Sequence, residues 1–94
     1  MGNSSKSAQF LMESRLSHAT SGSAEACFDL GVAYSCGTGG MPVDLVEAHK
    51  WFNLAALRGM EDAKIQRAEL ADMMSSDEVK QALQSAREWL KLMN

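Results

Sequence analysis

The chain has 94 residues, enough for one domain with a thin core, because a chain of this size buries roughly 60–65% of its unfolded surface. Its charged residues (22%) sum to a net charge of only −3, which excludes the strongly basic surface that a general binder of nucleic acid or anionic membrane requires. No apolar run reaches the ~18 residues of a membrane span, and the polar start lacks the apolar stretch of a secretory signal.

Residues 1–5 read as a disordered polar tip. From residue 6 to 20, Ala8, Leu11, Met12, Leu16 and Ala19 recur at helical spacing and predict a helix. Thr20-Ser-Gly-Ser23 breaks it, with Ser23 as N-cap for a second helix over Ala24 to about Cys36. Gly37-Thr-Gly-Gly-Met-Pro42 ends that helix, since three glycines and the only proline are strong punctuation.

Asp44 opens a third helix, with Glu47 in capping-box spacing. Its expected buried face is Leu45, Ala48, Trp51, Phe52, Ala55 and Ala56, and Gly59 closes it as a left-handed stop. His49 is expected on its surface. A fourth helix, about Glu61 to Met74, carries Ala63, Ile65, Ala68, Leu70, Ala71 and Met74 as a weaker apolar set. Ser75 and Glu78 form a second capping box. The fifth helix follows, with an apolar stripe of Val79, Ala82, Leu83, Ala86, Leu90 and Met93. No segment reads as a strand.

The chain repeats itself. Glu47-Ala-His-Lys-Trp-Phe-Asn-Leu54 aligns with Ser85-Ala-Arg-Glu-Trp-Leu-Lys-Leu92 at an offset of 38 residues. Upstream, Ala26, Phe28 and Gly31 find counterparts in Ala63, Ile65 and Ala68 at an offset of 37. A hairpin unit of this kind buries its apolar face only by stacking on a neighbour.

The order Ala26, Leu30-Gly31, Tyr34, Gly37-x-Gly39, Asp44, Ala48-x-x-Trp51, Ala55-Ala56 and Gly59 resembles the Sel-1-like repeat, a relative of the tetratricopeptide repeat. The match is close over residues 24–59 and loose over 60–92, and residues 60–94 are taken as a degenerate second repeat or C-terminal cap. Residues 6–20 become an N-terminal capping helix. The turn before Asp44 looks one residue longer than the family form, and Arg67 and Ala68 stand where leucine and glycine are expected. The resemblance implies an all-α fold, a short right-handed α-solenoid of about five helices, and a role as an adaptor for other proteins. Independently, a glycine inside a helix costs about 1 kcal/mol against alanine. Gly31 is therefore expected where a second helix comes close, against Trp51, with Trp51 and Tyr34 supplying most of the aromatic burial.

Groupings that suggest chemistry have plainer explanations. The glycine turn lacks the preceding strand and the Gly-Lys-Ser/Thr ending of a phosphate loop. Cys36 and His49 lack a third orienting group, and the histidines and cysteines do not fall in metal-ligand spacing. Cys27 and Cys36, about 13 Å apart along one helix, are too distant for a disulfide, and Cys27 is expected to pack as a small hydrophobe. No catalytic residue, cofactor or metal is expected, and a cytoplasmic location is.

The net negative charge falls on the first helix of each hairpin: Glu25 and Asp29 on one, and Glu61, Asp62, Glu69 and Asp72, against Lys64 and Arg67, on the other. In tetratricopeptide-like solenoids these helices line the concave face. Two explanations stand: a merely solvated acidic face, or a docking face on which Glu25, Asp29, Val32, Glu69 and Asp72 are the expected contacts for another protein's basic or amphipathic segment. The alternatives are a self-associating module that completes its stack as a homodimer, and a small-molecule or β-lactam-binding relative of cysteine-rich repeat proteins, whose disulfides and secretion this chain lacks.

Overall fold

The structure, a computed structural model, describes residues 23–40 and 42–93. The expected tip at 1–5 and the helix at 6–20 lie outside the described residues. Within them the chain is helical without strands: α1 (Ala24–Cys36), a 3-10 turn (Thr38–Gly40), α2 (Leu45–Leu57), α3 (Glu61–Met73) and α4 (Ser76–Met93). The described helices number four rather than five.

Side chains and glycines set the helix ends as local chemistry demands. Ser23 Oγ accepts the Ala26 amide and starts α1. Gly37, at φ 68° and ψ 32°, ends it in the left-handed region that glycine enters without a Cβ penalty. Asp44 accepts the Glu47 amide at the start of α2. The expected box is only half built there, because the Glu47 carboxylate turns instead to the Trp51 indole N–H at 3.1 Å. The box at Ser75 and Glu78 is complete, with both reciprocal bonds made.

The end of α2 is a Schellman arrangement. Gly59 at φ 95° lets its own amide reach the Ala56 carbonyl, and the Met60 amide reach that of Ala55. Met60 then packs against the core. The chain reverses here into α3, which has no side-chain cap and relies on Glu61 and Asp62 in its first turn.

Helix α2 is the hub. α1, α3 and α4 all pack against it, while α3 and α4 barely touch one another. The second pair of helices is thus splayed over α2 rather than closed as a hairpin like α1 and α2. Consequently α2 is buried almost all round: Ala48, His49, Trp51, Phe52, Asn53, Leu54, Ala55 and Ala56 are all enclosed. Its core with α1 and the two later helices gathers Cys27, Leu30, Ala33, Trp51, Leu54, Ala55, Ala63 and Ala86.

Four expectations about packing need correction. A Cβ on Gly31 would lie 2.6 Å from the Phe52 ring, so the close approach is to Phe52, not Trp51. Phe52 and Trp51 are the fully enclosed aromatics, whereas Tyr34 is half-buried. His49 lies in the α2 interior at 3% exposure rather than on the surface. Ile65 and Ala68, aligned with Phe28 and Gly31 by the repeat offset, are exposed, so that alignment holds at Ala63 and then fails.

Candidate partner-binding face

The outward side of α3 is built by helical geometry. Asp62, Ile65, Glu69, Asp72 and Met73 recur at spacings of three, four and seven, and so share one face. All five are exposed. Ile65 and Met73 leave 56% and 66% of their surface in water, large values for residues that normally bury such area. The two cations of α3 do not neutralise this face. Lys64 is held by Glu61 at 2.9 Å, and Arg67 turns inward to donate to Asn53 Oδ1 on α2. Asp62, Glu69 and Asp72 make no ion pair among the described residues.

On α1, Glu25 and Asp29 are exposed and Val32 is half-buried. Phe28 and Val32 of α1 pack with Leu70 of α3 and with Met74, just past its end, around Phe52. The ring of Phe28 meets that of Phe52 at 5.2 Å and 60°. The α1 stripe therefore borders the C-terminal half of α3, where Glu69 and Asp72 lie. Val32 belongs to this seam more than to the open surface. Sequence reasoning assigned Ile65 to the core and gave Met73 no place on this face. A helical wheel of α3 sets both among the acidic residues, and that signal was present in the chain.

The groups that could carry reactivity are dispersed. Cys36 is exposed at the end of α1, with its sulfur 3.7 Å from Ser35 Oγ, and Cys27 is enclosed. Arg58 donates to the Cys27 sulfur at 3.1 Å. Burial nonetheless pushes the Cys27 thiol pKa up, against the opposing charge and hydrogen bond of Arg58. Burial, assisted by the Arg67 charge, pushes the His49 pKa down. Among the described residues no three His, Cys, Asp or Glu side chains cluster to hold a metal, and no helix is long and apolar enough to cross a membrane.

No curated protein and no solved structure matches the chain significantly. The family model for the Sel1 repeat matches residues 24–60 and again residues 68–93. Sel1 repeats are generally protein-interaction modules and typically lack catalytic activity. The second match begins beyond Ile65, where the exposed positions of α3 had broken the simple repeat offset, and it takes in all of α4. With two matches that together cover more than half of its length, the chain belongs to the Sel1 repeat family.

Proposed function

We propose that this chain is a non-catalytic cytoplasmic adaptor whose acidic α3 face, with the adjoining Glu25–Asp29 stripe of α1, takes a basic amphipathic segment of a partner chain. In this reading residues 24–59 and 60–94 are two turns of a short right-handed α-solenoid, the second degenerate. One observation carries the proposal: Ile65 and Met73 stand in water, framed by Asp62, Glu69 and Asp72. Interfaces bind through apolar anchors surrounded by a polar rim, and unlike charge steers the encounter. A lysine-rich amphipathic helix meets both requirements, with apolar side chains for Ile65 and Met73 and ammonium groups for the carboxylates.

The test is binding of a synthetic lysine-leucine amphipathic peptide, read by anisotropy at ~50 mM salt, where charges act over more than 10 Å. Binding should weaken at least tenfold in Glu69→Lys/Asp72→Lys, in Glu25→Lys/Asp29→Lys and in Ile65→Ser, each with unchanged helical circular dichroism. A peptide that binds all three variants as well as the parent chain rejects this face.

A further inference from the structure

The last helix carries the counterpart of the α3 face. Lys80, Gln84, Arg87 and Lys91 recur along α4 at spacings of four, three and four, so they form one stripe within about 60° of the helix. All four are exposed. With half-buried Leu83 and exposed Glu88 they line an open groove of ≈ 390 Å³. Glu88 accepts a long bond from Gln84 at 3.5 Å. Lys80, Arg87 and Lys91 make no ion pair among the described residues.

The spacing of this stripe matches that of the acidic one. Lys80 and Arg87 are seven residues apart, as are Asp62 and Glu69. Lys91 follows four residues later, and Asp72 three. A shift of 18 residues in number places Lys80 on Asp62, Leu83 on Ile65 and Arg87 on Glu69, with Lys91 one residue past Asp72. Laid parallel, α4 of one molecule sets three unlike charge pairs and one apolar pair against α3 of another. Splayed over α2, the two helices leave both stripes open in the same molecule.

We propose that the occupant of the acidic α3 face is α4 of a second copy of this chain, docked through Lys80, Leu83, Arg87 and Lys91. This rests on the reading of the α3 face as a docking surface and names its partner. The two stripes are different patches, so the contact is heterologous, and each molecule can both offer α4 and receive it. Exposed ion pairs contribute little singly. The association is therefore weak, concentration-dependent and erased by salt.

Charge exchange tests it. By light scattering at ~50 mM salt, the mass of the full chain should rise with concentration above the 10.2 kDa of one copy. It should return to that value at ~500 mM salt, where the screening length falls to about 4 Å. A Lys80→Glu/Arg87→Glu/Lys91→Glu variant and an Asp62→Lys/Glu69→Lys/Asp72→Lys variant should each be monomeric, and their equimolar mixture should associate again. Parent chain that stays monomeric at low salt, or a mixture that does not associate, overturns the proposal. If the monomeric parent still captures the lysine-leucine peptide, self-docking alone falls. If it captures nothing, the reading of the face falls too.

Discussion

Trp51 and Trp89, which hold the same position in the two repeats, touch edge to face, with ring centroids 4.8 Å apart and planes at 73°. The equivalent residues of successive units thus pack on each other directly, and the contact joins α4 to the hub. Lys50 Nζ sits 4.7 Å from the first ring and 5.4 Å from the second, and is itself held by Glu47 at 3.7 Å. Glu47 also accepts the Trp51 indole N–H. The half-built cap on α2 is therefore a change of use: its carboxylate orients the tryptophan pair instead of the helix end.

Removal of one ring measures that junction. Trp89 is half-buried, so Trp89→Ala should cost about 2–3 kcal/mol, below the ~3–5 typical of a fully buried aromatic. Trp89→Phe keeps an aromatic edge and removes the indole nitrogen, which is buried without a partner. It should stay within about 1 kcal/mol of the parent, since loss of an unsatisfied polar group offsets lost contact area. Urea midpoints of the two variants decide it. Equal losses would mean the aromatic pair contributes little.

Gly31 gives a second test. A methyl at that position meets three atoms of the Phe52 ring at 2.6–2.9 Å, and the ring is fully enclosed, so it cannot swing aside. Gly31→Ala gains about 1 kcal/mol of helix propensity but incurs overpacking of about 1–3 kcal/mol or more. The net change should destabilise, and Phe52→Leu in the same chain should recover part of it. Recovery is the telling measurement, because independent defects would add.

The helices were readable because their ends are written in short-range chemistry. Ser23, Gly37, Asp44, Gly59 and Ser75 each act within four residues, and the α-helix boundaries they mark fall within one residue of their expected places. The repeat pattern also located Ala48, Ala86, Trp51 and Trp89. What the sequence concealed was long-range. Nothing local says that α3 and α4 splay over α2, and that arrangement exposes Ile65 while enclosing His49 and Asn53. In α3 and α4 the residues that face the hub, such as Ala63 and Ala86, are small and buried, whereas Leu92, aligned with buried Leu54, is 77% exposed.

The two thiols should differ sharply. Cys36 is open to water, while Cys27 has no exposed surface and a thiol pKa raised by burial. Only the thiolate reacts, so native protein at neutral pH should take up one equivalent of a thiol reagent quickly. The second should follow at the rate of opening, and both should react at once in urea. Fast modification of both in native protein would show that α1 and α2 separate readily.

His49 makes stability depend on pH in a definite direction. Its ring is enclosed in the interior of α2, Nδ1 has no hydrogen-bond partner, and the Arg67 guanidinium lies close enough to oppose a second positive charge. Burial first, and Arg67 second, hold its folded pKa below the ordinary 6.5. The unfolded chain therefore takes up a proton near pH 6.5 that the folded chain refuses. The contribution is fully present above that value and is lost as pH falls from about 6.5 toward the folded pKa. The loss is at most about 1.4 kcal/mol per pH unit. Carboxylates titrate mainly below pH 5, so the interval from ~6.5 to ~5 isolates histidine. The other histidine of the sequence, His18, is common to parent and variant, so comparison with His49→Leu isolates the contribution of position 49. That variant has no proton to gain at position 49 and no orphaned nitrogen to bury, so it should match or exceed the parent at pH 7.5 and lose less of its urea midpoint by pH 5.5. Identical midpoint shifts in parent and variant would mean that His49 takes its proton as readily folded as unfolded.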